Sequence, residues 1–247
     1  MELESDSNGG YCNRCRSWHG LPWKAAWASC QKLMADLRHH DRIDFMRPVA
    51  QADPLYRTAP LFTVGSGKML GLLLCRDAHG VERRLLAFSG MFNGLWLADG
   101  WVPPVFDVQA FLRLHVPVER QIKELGAQIA GLPPSAPERR ELITERRELS
   151  RHNMVVIHKL YQLRNFRGDT QPLTSFFPPQ SGPPAGAGDC CGPKLLHQAQ
   201  RLGLWPLSMA EFYWGGNNAS ASKEHGRRYP PCTSKCRPIL GFQLCGL

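Results

Sequence analysis

No stretch of this chain approaches the roughly 18 continuous apolar residues of a membrane-spanning helix, so no transmembrane helix is expected. A signal-peptide core is lacking as well, since the chain opens on the acidic run MELESD. An even cysteine count is missing too. Nine thiols without an export signal argue against a disulfide framework and for metal ligation or plain burial, and a cytoplasmic protein is expected. Strong compositional bias is absent: 43% hydrophobic and 21% charged residues exclude intrinsic disorder. The 247 residues suffice for one elaborated domain or two small ones, while Gly 23 and Pro 20 imply long irregular connections. What the chain has in excess is positive charge. Thirty Lys plus Arg stand against 21 Asp plus Glu, a formal +9 with pI about 9.3, and this points to an anionic partner, nucleic acid first.

Along the chain, Cys12-x2-Cys15 with His19 comes first, and Pro22 then opens a helix whose Trp23, Trp27, Cys30, Met34 and Leu37 form one apolar stripe. Two apolar runs, 68–76 and 83–89, are joined by Asp77-Ala78-His79-Gly80 and read as a β-hairpin buried on both faces. From Asp107 the period lengthens. Phe111, Val118, Ile122, Leu125, Ile129 and Leu132 form a coiled-coil-like seam that the Pro-rich run 133–137 stops, and Leu142, Leu149, Val156 and Leu163 continue it in a second helix over 138–164. Arginines and glutamates alternate on the outer face of this helical hairpin. That pattern suits a solvated surface with i,i+4 pairs, or an arm that touches RNA or a partner. Residues 168–188 are a Pro/Gly/Ser-rich connection too flexible for a core. Asp189 then caps a helix over 190–202, 207–214 read as a buried strand, and a short helix follows Cys232. The chain therefore divides into an N-terminal α/β part (1–106), an inserted helical hairpin (107–167), a linker (168–188) and a cysteine-bearing α/β part (189–247).

Two elements of the last part begin with cysteine, Cys190-Cys191 and Cys232-x3-Cys236. Thiols at helix starts are acidified by exposed backbone N–H groups, which favours the thiolate that zinc requires. One thiolate from the first pair and two from the second would leave a fourth position for water, as in a catalytic zinc site. Glu211, on the strand between the two cysteine elements, and Asp189, beside the first, are the carboxylates placed to move protons. His225, Arg227, Arg228, Lys235 and Arg237 form a basic cluster beside Cys232, with Trp214 and Tyr229 as stacking surfaces for a base; the competing reading is a solvated loop. Cys12, Cys15 and His19 resemble half of a second zinc site, but no second pair lies nearby in sequence, so a mobile turn competes. Cys30, Cys75 and Cys245 sit on apolar faces and read as core.

The order of helix, β-hairpin, helix with a ligand, strand, and helix with a Pro-Cys ligand pair resembles that of the zinc nucleoside and nucleobase deaminases. Their signature is H-x-E or C-x-E, then P-C-x-x-C, in which the metal activates water and the Glu carries protons. The resemblance implies a three-layer α/β/α sheet, here with the long helical hairpin inserted. Two departures stand out: Gly192 and Pro193 occupy the places two residues after Cys190 and Cys191, and the second motif has three intervening residues.

The run GAGDCCGPKLLHQAQRLGLWPLSMAEFYWG with HGRRYPPCTSKCRPILGFQLCGL resembles the N-terminal accessory region of long bacterial RluA-like pseudouridine synthases. GKMLGLLLCRD, LLAFSGMFNG and WVPPVFD resemble blocks of the same region, and the likeness extends from about Gly67 onward. It implies an RNA-modification setting, with tRNA or rRNA and a separately encoded synthase as partners. The synthase domain of those longer proteins begins about where this chain ends. The segment His40-Asp41-Arg42-Ile43-Asp44 lacks the T-S-G turn of their catalytic motif, so no uridine isomerisation is expected of Asp44. Three functions follow: a zinc-dependent nucleobase deaminase acting on RNA, a noncatalytic RNA- or protein-binding module with a structural zinc, or an iron-sulfur protein using the same cysteines.

Overall fold

The computed structural model describes residues 7–63, 65–218 and 220–247; the acidic start at 1–6 lies outside them. Strand β3 (Lys68–Arg76) is the hub of a three-stranded antiparallel sheet. It pairs with β4 (Glu82–Phe88) on one side and β7 (Trp205–Trp214) on the other. Between them, the Asp77 carboxylate accepts hydrogen bonds from the His79 and Val81 N–H groups at 3.0 Å, and Gly80 takes φ 81°, which closes the turn read from sequence. The central β3 is buried from Leu70 to Cys75. β4 is an edge strand, so its first half, Glu82 to Arg84, faces solvent and only its second half meets the expectation of burial on both faces.

Side-chain alternation divides the core. Leu70, Leu72 and Leu74 join Ala210, Phe212 and Trp214 of β7 in a cluster with α1 (Lys24–His40), whose Ala26, Cys30, Leu33, Met34 and Leu37 form the apolar stripe. Leu73, Cys75 and Met209 join a second cluster with α4 (Cys191–Arg201) and α5 (Arg237–Gln243). The chain is thus a mixed α/β protein with helices on both faces of a small sheet. Gly71, in the middle of β3, permits one close approach, since a Cβ there would lie 2.6 Å from the Cβ of Cys191.

The helical hairpin consists of α2 (Val108–Gly131) and α3 (Pro137–His158). Asp107 caps the first by accepting from the Ala110 N–H at 2.6 Å, and Pro137 opens the second. Helix α3 stops at His158 instead of running to 164. Leu163 lies instead on β5 (Gln162–Arg164), which pairs with β6 (Thr170–Pro172), and is fully buried in a third cluster with Phe106, Tyr161, Leu173, Ile239 and Phe242. Burial of this leucine among aromatic rings outweighs one more heptad along an exposed helix. The Pro/Gly-rich stretch 168–188 is correspondingly not all loose connection: it supplies β6, the buried Leu173 and Ala187, and Phe176, whose ring lies 5.1 Å from that of Phe242.

Candidate metal centre

The cysteine elements of the C-terminal third meet at the start of α4. Cys190 is the N-cap residue of this helix and Cys191 its first residue, and successive helical side chains diverge by about 100°. Cys191 therefore points into the sheet, with its Sγ 3.3 Å from the Met69 carbonyl and 3.6 Å from that of Ala87, and is completely buried. Cys190 turns the other way, towards the segment before α5. There Pro230-Pro231 leads into a turn closed by the N–H groups of Cys236 and Arg237 on the Cys232 carbonyl, at 3.3 and 3.1 Å. The sulfurs of Cys190, Cys232 and Cys236 lie within 4.8 Å of one another, those of Cys232 and Cys236 at 3.4 Å. Two sulfurs each about 2.3 Å from a tetrahedral ion stand about 3.8 Å apart, so this three-thiol set fits a metal ion such as zinc. Cys191, offered by the sequence as an alternative ligand, is not one of the three.

Crowding three thiols has an electrostatic consequence. Hydrogen bonds from Cys190 and Cys236 hold Cys232 far below the usual thiol range, whereas hydrogen bonding to Cys232 pushes Cys190 up to about 12, and hydrogen bonding with Cys190 and then Cys232 pushes Cys236 well above its normal value. A divalent ion would let all three thiols ionise. Cys232 is exposed, which leaves one side of the cluster open, while Cys236 is buried.

Glu211, on β7, is 4% exposed and sits in the register position opposite Gly71. Its Oε1 accepts a hydrogen bond from the Gly192 N–H at 3.1 Å. A Cβ on Gly192 would lie 3.2 Å from that same oxygen, so the glycine leaves room for the carboxylate. Burial raises Glu211 to about 7, the Gly192 bond and the Lys223 ammonium opposing the rise. Glu211 also acts electrostatically on Cys190, Cys191 and Cys236. Asp189, by contrast, neither caps α4 nor stands free: its Oδ1 accepts from the Tyr161 hydroxyl at 2.8 Å, and no side chain caps this helix. Burial raises it as well. The sequence missed Lys223, which came from a loop with no periodic signal, and Lys194, fully buried on α4 with its ammonium on the Phe88 carbonyl at 2.9 Å. Desolvation lowers Lys194 to about 8.

The basic cluster is largely occupied. Trp214 is 1% exposed within the α1-side core, packed on His225 with ring centroids 4.3 Å apart, so it offers no stacking face to a base. Arg227 pairs with Glu224 at 2.8 Å, and the Arg228 guanidinium lies 3.9 Å over the Trp23 ring. The Tyr229 hydroxyl accepts from the Glu224 N–H at 2.7 Å, and Lys223 covers its ring. Arg237 reaches over Trp18, and Lys235 extends toward Gly186. A freer basic surface lies on α3, where Arg146, Arg147 and Arg151 line a groove of about 990 Å³ against residues 179–183. In the helical hairpin an ion pair joins Glu119 to Lys123 on α2, with the His115 ring also near Glu119; among the described residues none joins the arginines and glutamates of α3, despite their spacing.

Asp44 forms a buried ion pair with Arg42 at 3.2 Å and accepts from the Asp53 N–H, a structural role. Cys30 and Cys75 are core residues, and burial pushes both thiols up to about 12. A second group of side chains that can hold a metal ion, Cys12, Cys15, His19 and Cys245, lies within 4.8 Å. Among the described residues no helix is long and apolar enough to cross a membrane. Compared with protein-family models, curated proteins and solved structures, the chain matches none.

Proposed function

We propose that the chain is a zinc-dependent hydrolase of deaminase-like architecture that removes the exocyclic amine of a nucleobase in RNA. The observation that carries this reading is the meeting of Glu211 with Gly192. In a C-x-E deaminase motif the proton-carrying glutamate would stand where Gly192 stands, two residues after the ligand Cys190. Here that position has no side chain, and a carboxylate enters the same space from the neighbouring strand, bonded to the Gly192 N–H. Helices on opposite faces of a sheet, with ligands at the starts of two of them, support the three-layer architecture.

Cys190, Cys232 and Cys236 would hold zinc, which when bound supplies an activated water. Burial raises Glu211 to about 7, where it can both accept and donate a proton at neutral pH. In the overall reaction a C–O bond to water forms, the C–N bond breaks and ammonia leaves. Glu211 takes one proton from water and delivers it to the ring nitrogen, then takes the second from the added hydroxyl and delivers it to the amine, which departs as ammonia while the carbonyl forms. The resemblance to the RluA-like accessory region and the arginine-lined groove on α3 support tRNA or rRNA as the substrate class, with phosphates held by arginine and no sequence read by those contacts.

The internal use of Trp214, Arg228 and Tyr229 favours the second reading, a binding module whose metal ties α4 to α5, because it removes the aromatic platform a flipped base would use. Incubating zinc-loaded protein with RNA and digesting it for nucleoside mass spectrometry separates the two. Inosine or uridine formed by wild type and abolished in Glu211→Gln, with zinc retained, supports the enzyme. Bound zinc and RNA without product from either protein supports the module.

A further inference from the structure

The N-terminal cysteines are not a mobile turn. Strand β1 (Asn8–Cys12) pairs antiparallel with β2 (Ser17–Leu21), and the four-residue connection is closed by the Arg16 N–H on the Cys12 carbonyl at 2.9 Å, with Arg16 at φ 56°. The register sets Gly10 opposite His19 and Cys12 opposite Ser17, so Cys12 and His19 share one face of this hairpin. Cys15 stands in the turn, its Sγ 3.0 Å from His19 Nε2.

The fourth member comes from the far end of the chain. Helix α5 crosses β1 at two glycines: a Cβ on Gly241 would lie 2.6 Å from the Gly10 carbonyl carbon, and one on Gly10 would strike the Arg237 carbonyl. This backbone contact brings the residues after α5 onto the hairpin. Cys245, held by its N–H on the Phe242 carbonyl at 3.0 Å, lands with its sulfur among those of Cys12 and Cys15 and the His19 imidazole. Cys12 and Cys245 are 1% and 0% exposed, and Cys15 and His19 are half-buried.

We propose that Cys12, Cys15, His19 and Cys245 bind a second zinc ion in a closed, structural Cys3His site that clips the N-terminal hairpin to the end of α5. Three thiolates and one imidazole from the protein complete a tetrahedron, leave no position for water, and suit zinc among the available divalent ions. A Cys12–Cys245 disulfide would use two of the four donors and leave Cys15 and His19 converging on nothing. The site is independent of the catalytic proposal, yet it bears on it mechanically. Cys236 caps one end of the seven-residue α5 and Cys245 lies just past the other, so the clip secures the helix that positions Cys236.

Elemental analysis and native mass spectrometry of full-length protein purified without added metal decide the matter. Two zinc ions per chain are expected in wild type, one in Cys245→Ser, one in Cys232→Ser and none in the double variant. Cys15→Ser, in the half-buried turn, serves should Cys245→Ser fail to fold, and Cys15→His should keep the second ion. A zinc content unchanged by both Cys15→Ser and Cys245→Ser, or a wild-type mass two hydrogens short with only one zinc, overturns the proposal. Zinc lost in Cys245→Ser but not in Cys232→Ser leaves it standing and removes the open site instead.

Discussion

Replacing Glu211 by glutamine keeps the shape of the side chain and an oxygen for the Gly192 N–H, but removes its titration. In the folded protein burial raises this carboxyl from 4.5 to about 7. The folded state therefore binds the proton more tightly than the unfolded chain. Its contribution is fully present below about 4.5 and is lost as pH rises through about 7, so wild-type stability should fall across that window. At about 1.4 kcal/mol per pH unit, the gap is worth about 3 kcal/mol, as an order of magnitude. His197, lowered by burial to about 4, works in the opposite sense, because its stability is lost as pH falls through the same region. The difference between variant and wild type isolates Glu211. Urea denaturation at several pH values from 5 to 8.5 should show Glu211→Gln more stable than wild type at pH 8 by about 3 kcal/mol, with the gap closing towards pH 5. Parallel pH profiles for the two proteins would refute the placement of a buried carboxyl whose burial outweighs its partners here.

Further outcomes follow from the packing. Cys190→Ala should lose the metal held with Cys232 and Cys236, whereas Cys191→Ala should retain it and only loosen the core by about 1 kcal/mol, measured by metal analysis beside thermal melting. Gly71→Ala should destabilise by about 1–3 kcal/mol, since the new methyl meets Cys191 at 2.6 Å; a melting temperature equal to wild type would contradict that close approach. Trp214→Ala should cost about 3–5 kcal/mol as a core truncation, and RNA affinity measured well below its melting point should be unchanged. Tyr161→Phe should cost about 1–3 kcal/mol by leaving buried Asp189 without its hydroxyl donor, seen as a lower denaturation midpoint.

The elements with strong periodicity were legible in advance. The α1 stripe, the β3–β4 hairpin and the α2 seam each encode burial at a local spacing, and the structure shows them within a few residues. The end of α3 was not legible, because Leu163 satisfies the heptad and the aromatic cluster equally well, and only the folded core decides between them. Trp214 looked available for stacking because an aromatic next to a polar loop carries no sign of which way it faces; strand alternation against α1 turned it inward. Arg228 and Tyr229 likewise make contacts within the protein, over the Trp23 ring and with the Glu224 N–H.

The candidate centre divides the same way. Residue type and spacing marked out Cys190, Cys232, Cys236 and Glu211 as candidates, and the structure brings the three thiols together, since thiols at the starts of two elements invite a metal and a carboxylate in an apolar strand needs a partner. Spacing could not choose between Cys190 and Cys191, because adjacent residues differ only in direction around a helix whose buried face is set by the sheet. Nor could it join Cys245 to Cys12, 233 positions away, or bring Glu211 to the empty place at Gly192. Local pattern is a property of neighbours along the chain, and it specified the elements and their donors. Convergence of donors depends on contacts between distant segments, above all the glycine crossing of β1 and α5, and that was settled only when the chain packed.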